Sequence, residues 1–410
     1  MKSFSRTILY VVMGILIVAL LSAAGTVLVL NHRAENIITM TTEEYSRITD
    51  LLAFNELVDD IESQAYGGAP SREELLEGAA RGMVDTLDDP YAKYYTAQEY
   101  EAYLSSINGE YYGVGLLVGQ PDGVGALVLE VYEGNPAEKA GVQAGDIITA
   151  INGTSTANLS LEEIRSMMDA QTGEAVALTL LRGTETISLS VTGDTVNIKR
   201  VKGSLFNEHT GYIKIDMFTG DCASEFEETL KTLKSRNMRS LVIDLRNNPG
   251  GSLDDVVKIC GLLLDKGKTI VSVGEEDGAD NEVYTATGHG IGVPLAILVN
   301  QNSASASEIM AGAVQDNEAG VIVGTQSYGK GVVQTTMRVE KSGGWLKLTT
   351  AAYFTPGGRN IHGVGITPDI LCELPEALQG KPLSEIDQSE DAQLWAALDY
   401  VREQAQQASE

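Results

Sequence analysis

Ser305 and Lys330 are the residues whose types and settings suggest covalent chemistry. Ser305 lies in the run Asn300-Gln301-Asn302-Ser303-Ala304-Ser305-Ala306-Ser307-Glu308-Ile309, which follows an apolar β-branched stretch and opens a helical one. A helix start presents unpaired N–H groups and the positive end of the helix dipole, so an anion forming there is favoured. Serines at helix starts ordinarily act as caps, and a nucleophile needs a base as well. Lys330 sits between Gly329 and Gly331 at a strand start, in Tyr328-Gly329-Lys330-Gly331-Val332-Val333-Gln334. Buried against apolar neighbours, a lysine loses ammonium solvation and can serve as that base. Gln334 is an even step along the same strand, so it is expected to share a face with Lys330 and hold its amine. Upstream, Asp244-Leu245-Arg246-Asn247-Asn248-Pro249-Gly250-Gly251 ends an apolar strand in a glycine turn. The N–H of Gly250 or Gly251, with that of Ala306, can form an oxyanion hole.

A second constellation suggests binding. In Tyr112-Gly113-Val114-Gly115-Leu116-Leu117 two glycines precede an apolar strand, a pattern that can aim successive N–H groups at a carboxylate. A groove between that strand and a helix carrying Ile164 and Met168 could receive a peptide as an added strand. Asn135-Pro136-Ala137-Glu138-Lys139-Ala140-Gly141-Val142, Ala144-Gly145-Asp146-Ile147-Ile148 and Ile151-Asn152-Gly153 follow. The whole run resembles PDZ domains of the bacterial, circularly permuted type, which implies capture of a free protein C-terminus.

The elements that must position these residues follow from periodicity. Capping boxes at Thr41-x-x-Glu44 and Ser71-x-x-Glu74 open helical stretches that end near Asp89-Pro90. Short alternating strands are expected at 114–118, 126–131, 146–151, 175–182 and 186–191, with one helix capped by Ser160-x-x-Glu163. Beyond residue 196, longer apolar runs at 240–245, 269–273, 295–299 and 321–323 alternate with helical stretches at 224–233, 253–264 and 304–315, the texture of an α/β core with a buried sheet. The polar tail is expected to be helical around 394–401.

Composition narrows the function classes. The chain has 410 residues with 43% hydrophobic and 21% charged, a globular balance that excludes wholesale disorder and a multi-span membrane protein. Its net charge of −28 repels phosphate backbones, so nucleic acid is not an expected partner. Cys222, Cys260 and Cys372 are few and widely spaced, fitting neither a zinc site nor a disulfide framework. No metal or organic cofactor is suggested. Between Arg6 and Arg33 no acidic or basic side chain of the Asp, Glu, Lys or Arg type occurs, and residues 8–30 are almost wholly apolar. Such a helix spans roughly 35 Å, enough to cross a bilayer core of about 30 Å. Lys2 and Arg6 precede it, which places the bulk of the chain outside by the positive-inside tendency. A signal peptide is the rival reading, and Ser22-Ala23-Ala24-Gly25 offers small residues for cleavage.

Together, Leu87-Asp88-Asp89-Pro90-Tyr91, the PDZ module, the motifs around Gly250, Ser305 and Lys330, Thr355-Pro356-Gly357-Gly358 and Gly365-Ile366-Thr367-Pro368-Asp369 resemble the carboxyl-terminal processing peptidases, or tail-specific proteases. The resemblance covers about residues 45 to 372. It implies an α/β multidomain fold: residues 1–6 cytoplasmic, 7–30 a transmembrane anchor, 31–107 a helical N-terminal domain, 108–195 a PDZ domain, 196–372 a crotonase-like ββα Ser/Lys protease core and 373–410 a helical tail. It assigns Ser305 as nucleophile, Lys330 as general base and Gln334 as the residue that orients the lysine. The implied activity is endopeptidase action on envelope or secreted proteins with free C-termini, at the outer side of a bacterial membrane. Homodimerisation through the helical terminal regions is also implied, although such helices can pack on their own domain. Asp316 matches an aspartate of some members, with a helix-end role the expectation. A Ser-His-Asp reading finds His32, His209, His289 and His362 without a nucleophile elbow, and HExxH is absent. A catalytically silent or partner-activated PDZ scaffold is the alternative from outside the enzymes.

Overall fold

The computed structural model describes residues 2–34, 40–108, 110–119, 123–169, 172–275, 281–408, and the chain divides into two compact units, 1–82 and 83–410. In the first unit the helix Lys2–Ala34 contains the span Ile8–Leu28, of mean hydropathy 2.6. It is long and apolar enough to cross a membrane, a test that a signal sequence also passes. Helix Thr42–Gln64 starts at the expected capping box: Thr41 N–H donates to Glu44 Oε2 at 2.7 Å and Glu44 N–H to Thr41 Oγ1 at 3.2 Å. Arg72 joins this helix to the next through Asp59 and Glu62, at 2.8 and 2.9 Å.

In the second unit, strands Leu116–Val118, Ala126–Val131, Ile147–Ile151, Ala175–Arg182 and Glu185–Thr192 form an antiparallel sheet in that order. Its core takes alternate residues such as Val176, Leu178 and Leu180 together with Ile164 and Met168 of helix Leu161–Met168. Ser160 caps that helix, accepting from Glu163 N–H at 3.2 Å. Strands Glu110–Gly113 and Asp194–Asn197 pair antiparallel and tie the module's two ends together.

The sheet of the following domain runs Val201–Leu205, Thr210–Ile215, Ser240–Asp244, Leu295–Val299, Val321–Gly324, Ile370–Leu371; its first pair is antiparallel and the rest parallel. Every residue of Ser240–Asp244 and Leu295–Val299 is buried, as expected when both faces of a sheet are covered. Leu241, Ile243, Ile297 and Val299 face a core shared with helices Cys222–Ser235, Leu253–Leu263 and Ala306–Asp316. Val242, Ala296, Leu298 and Val323 point the other way, against Leu394, Ala397, Leu398 and Val401 of helix Ala392–Gln407. The tail helix thus packs on its own domain and completes the sheet's second face.

A second, antiparallel sheet orders Lys93–Tyr95, Trp345–Phe354, Thr269–Gly274 and Glu282–Thr285, with Val332–Arg338 also paired to Trp345–Phe354. The range 31–107, expected to be helical, therefore includes a strand of this sheet. Tyr95 stacks on Tyr103 at 5.1 Å and Tyr100 on Trp345 at 3.9 Å, so aromatic packing fixes that strand and the following helix Ala97–Asn108 against the sheet.

Candidate functional site

Strand Leu295–Val299 ends in a turn held by Ser303, whose Oγ accepts from Asn300 N–H at 2.9 Å and donates to Leu245 O at 2.8 Å. Two residues later Ser305 has φ 55° and ψ −114°, a positive φ in a non-glycine residue at the start of helix Ala306–Asp316. Such a conformation persists only where the surroundings over-determine it.

Glu308 supplies much of that determination. Its wholly buried carboxylate accepts from Ser305 N–H (2.8 Å) and Lys330 N–H (2.8 Å) on Oε2, and from Ser327 Oγ (2.6 Å) and Gly329 N–H (2.7 Å) on Oε1. Four donors, two of them from the serine and lysine backbones, converge on one side chain. Tyr353 does the complementary work, its hydroxyl reaching the carbonyl oxygens of both Ser305 and Lys330. Burial, with the nearby Glu308 charge, pushes the Tyr353 phenol well above its ordinary range, so it remains a donor. Neither residue was among the sequence candidates. The spacing Ser305-x-x-Glu308 repeats that of the capping boxes at Ser71 and Ser160 and was the available signal; nothing local marks Tyr353.

The glycine turn lies against the same point. A Cβ on Gly250 would meet Ala304 O at 2.6 Å, Ser305 Cβ at 2.8 Å and Ala306 N at 2.9 Å, and one on Gly251 would meet Phe218 O at 2.1 Å. Both positions also have positive φ, 102° and 140°, so only glycine fits there. Asn248 braces the turn by accepting from Gly250 N–H at 2.8 Å and donating to Ile215 O at 2.9 Å. The Gly250 N–H is thereby occupied, whereas those of Gly251 and Ala306 have no hydrogen-bond partner among the described residues. Behind the turn, Arg246 forms ion pairs with Asp244 at 2.7 Å and Asp391 at 2.8 Å, all three nearly buried. Tyr212 donates to Asp244 at 2.7 Å.

Lys330 is seated by its flanking glycines: a Cβ on Gly329 would meet Val364 N at 3.0 Å and one on Gly331 would meet His362 N at 2.5 Å. Burial, and then the like charge of Lys347, lower its pKa from the ordinary lysine value, while Asp89 and Glu308 pull the other way. Its Nζ lies 4.7 Å from the Tyr91 ring centroid, and among the described residues it makes no hydrogen bond to Ser305. Gln334 makes no hydrogen bond to the Lys330 amine among the described residues. Strand Val332–Arg338 begins after Lys330, so strand alternation does not run from one residue to the other, and the register shift beside Gln334 leaves Thr350 of the paired strand as the extra residue. Gln334 Nε2 donates to Thr349 Oγ1 at 3.3 Å. Asp316 binds the turn at 355–358, accepting from Gly357 N–H at 2.8 Å and pairing with Arg359.

In the smaller module, Tyr112, Gly113, Val114, Gly115, Leu116, Leu117 and Met168 line one groove of about 510 Å³ together with Tyr132, Arg165 and Ile198. Ile164 does not line it; fully buried, it belongs to the core beneath. Leu116–Val118 is the sheet's edge strand, so its outer side is open to an added strand. Among the described residues no group of three or more His, Cys, Asp or Glu could hold a metal.

An α/β core carrying a strained serine and a seated lysine, joined to a PDZ-like module with an open edge, defines the class as a PDZ-bearing serine-type peptidase fold. Family models agree in three segments: Peptidase family S41 over 209–372, PDZ domain over 127–182, and Activating protease CtpB N-terminal domain over 22–99. The chain is 30% identical over 370 residues to a CtpA-like serine protease of Staphylococcus epidermidis, 89% of this chain and 73% of that protein. To its namesake in Staphylococcus aureus strain bovine RF122 it is 34% identical over 334 residues, 80% of this chain and 66% of that one. The chain belongs to peptidase family S41. An S41 protease structure from Bacteroides fragilis, 17% identical and covering 84% of this chain and 94% of its own, shares the fold with a TM-score of 0.55. The photosystem II D1 C-terminal processing protease aligns with 28% identity over 79% of this chain and 88% of its own, TM-score 0.48. The chain spans about two thirds, 66%, of the length of the S. aureus relatives.

Proposed function

We propose that this chain is a serine endopeptidase that uses a Ser305/Lys330 dyad and selects substrates by their C-termini. The neutral Lys330 amine takes the Ser305 Oγ proton as Oγ bonds to the scissile carbonyl carbon. The N–H groups of Gly251 and Ala306 receive the oxyanion, Gly250 being engaged by Asn248. Collapse breaks the C–N bond, the Lys330 ammonium returns its proton to the leaving amine, and water attacks the acyl-enzyme with Lys330 again as base. The observation that carries this reading is the Glu308 carboxylate, which binds the backbone N–H of nucleophile and base on one oxygen. Gln334 acts at one remove, by holding the Thr349 hydroxyl; Thr349 in turn lowers the Asp89 pKa, and Asp89 favours the charged lysine.

The core is read as crotonase-like from its ββα arrangement, with the PDZ groove tethering a substrate tail and raising its effective concentration at Ser305. Helix Lys2–Ala34 anchors the protein in a bacterial membrane with the catalytic part outside. One observation favours a second reading, a partner-activated protease: Lys330 Nζ rests on Tyr91 rather than on Ser305. The test is cleavage of an unstructured reporter with an apolar C-terminal residue, free or amidated, by wild type, Ser305→Ala and Lys330→Ala. Loss in both variants and weakening by amidation support the first reading. An inert wild type that still binds the free carboxylate supports the second.

A further inference from the structure

The segment 88–95 brings a side chain to Lys330 that the proposed reaction does not use. Asp88 has φ 53°, and Asp89 Oδ1 accepts from Tyr91 N–H at 2.9 Å, forming a tight turn. Strand Lys93–Tyr95 then hydrogen-bonds to Trp345–Phe354, so the turn is fastened to the sheet that also carries Lys347 and Tyr353. The Tyr91 ring lies 4.7 Å from Lys330 Nζ, inside the range for attraction between an ammonium and an aromatic face. The His362 ring meets it edge-on at 6.3 Å, and Tyr328 lies near its hydroxyl. Burial pushes the Tyr91 phenol up to about 12, so the ring stays neutral across the working range.

Other groups also act on the amine. Asp89 acts on it from the turn, Glu308 from helix Ala306–Asp316 and Lys347 from strand Trp345–Phe354, with Tyr328 and His362 next to Tyr91. We propose that Tyr91 is a positioning residue for the base, its ring face holding the Lys330 ammonium and setting the pH above which the amine is free to take the serine proton. This rests on the reading of Lys330 as general base. The ring quadrupole attracts the ammonium and not the neutral amine, so proton loss releases the side chain toward Ser305. The ring thus raises the lysine's pKa against the depression caused by burial and Lys347. Without the ring face the ammonium is less favoured, and the neutral form appears at lower pH.

The experiment has two readouts on the full chain in detergent. In a Ser305→Ala background, the pH dependence of Lys330 acetylation by trace acetic anhydride, read by mass spectrometry, reports the amine's own titration. In the Ser305 protein, kcat/KM against pH reports the acidic limb. Tyr91→Leu is expected to move both midpoints down by about one pH unit, and Tyr91→Phe, which keeps the ring, to leave them within a few tenths. Should Tyr91→Leu fail to fold, Phe and its progressively fluorinated analogues at position 91 keep the shape while weakening the quadrupole, and a stepwise fall of the midpoint is expected. A Lys330 midpoint that is unchanged or raised in these variants overturns the proposal. Full turnover by Lys330→Met overturns the base assignment instead, and the acetylation readout distinguishes that failure from failure of the Tyr91 contact.

Discussion

Glu308 concentrates more of the site's geometry than either proposed reacting residue. Each hydrogen bond to a buried carboxylate contributes about 1.5–3 kcal/mol, and Glu308 accepts four. Glu308→Gln keeps the shape but turns an amide NH2 toward backbone donors. It is expected to lower stability by about 3 kcal/mol and kcat by at least about tenfold, with KM for a short peptide little changed. Chemical denaturation and steady-state kinetics check this. Lys330 has the opposite stability sign. Its folded pKa lies below the ordinary lysine value, so between the two the unfolded chain binds more protons and stability rises with pH. Lys330→Met removes that linkage. The variant is expected to be inactive yet more stable than wild type near pH 7, with the advantage shrinking as pH rises toward the ordinary lysine value. Melting curves across pH 6–10 would refute this if the gap stayed constant or widened.

At the scale of elements, the C-terminal helix completes the protease core. Helix Ala392–Gln407 covers one face of the parallel sheet, and its capping residue Asp391 also pairs with Arg246 behind the glycine turn. Leu398, almost fully buried in that layer, should cost about 2–5 kcal/mol when replaced by Ala, measured by urea denaturation. Truncation before Asp391 should cost activity as well, because the sheet face is uncovered and Arg246 loses one of its two carboxylates. A truncated chain with wild-type kcat would show that the glycine turn does not depend on the tail.

For the whole molecule, the proposed reading puts recognition and chemistry in separate modules. Arg165 lines the groove beside the 112–117 segment together with Glu162 and Asp169, and on the proposed reading it meets the incoming carboxylate. Arg165→Glu is therefore expected to raise KM about tenfold for a reporter with a free C-terminus and to change cleavage of its amidated counterpart less than twofold. The first helix makes a separate prediction. Full-length protein should float with liposomes in a density gradient, whereas a chain beginning at residue 34 should remain in the soluble fraction. The mass of the membrane-bound form distinguishes an uncleaved anchor from a processed leader.

Much of the arrangement is local and therefore legible from residues alone. Capping boxes at Thr41, Ser71 and Ser160, the alternating strand at 175–182, the buried runs at 240–244 and 295–299, and the glycine-flanked motifs around Gly250, Ser305 and Lys330 each depend on a few neighbouring side chains. What the tertiary structure decided is non-local. The pairing of Lys93–Tyr95 with Trp345–Phe354, the convergence of Glu308 and Tyr353 on two distant backbones, and the packing of the tail helix under the sheet have no short-range periodicity. The expectation for Gln334 shows the limit most plainly, because the strand begins at Val332, after Lys330, and the alternation on which the expectation rested holds only within a strand. Residue types and their spacing determined which groups could do chemistry; long-range hydrogen bonding and packing decided which of them meet.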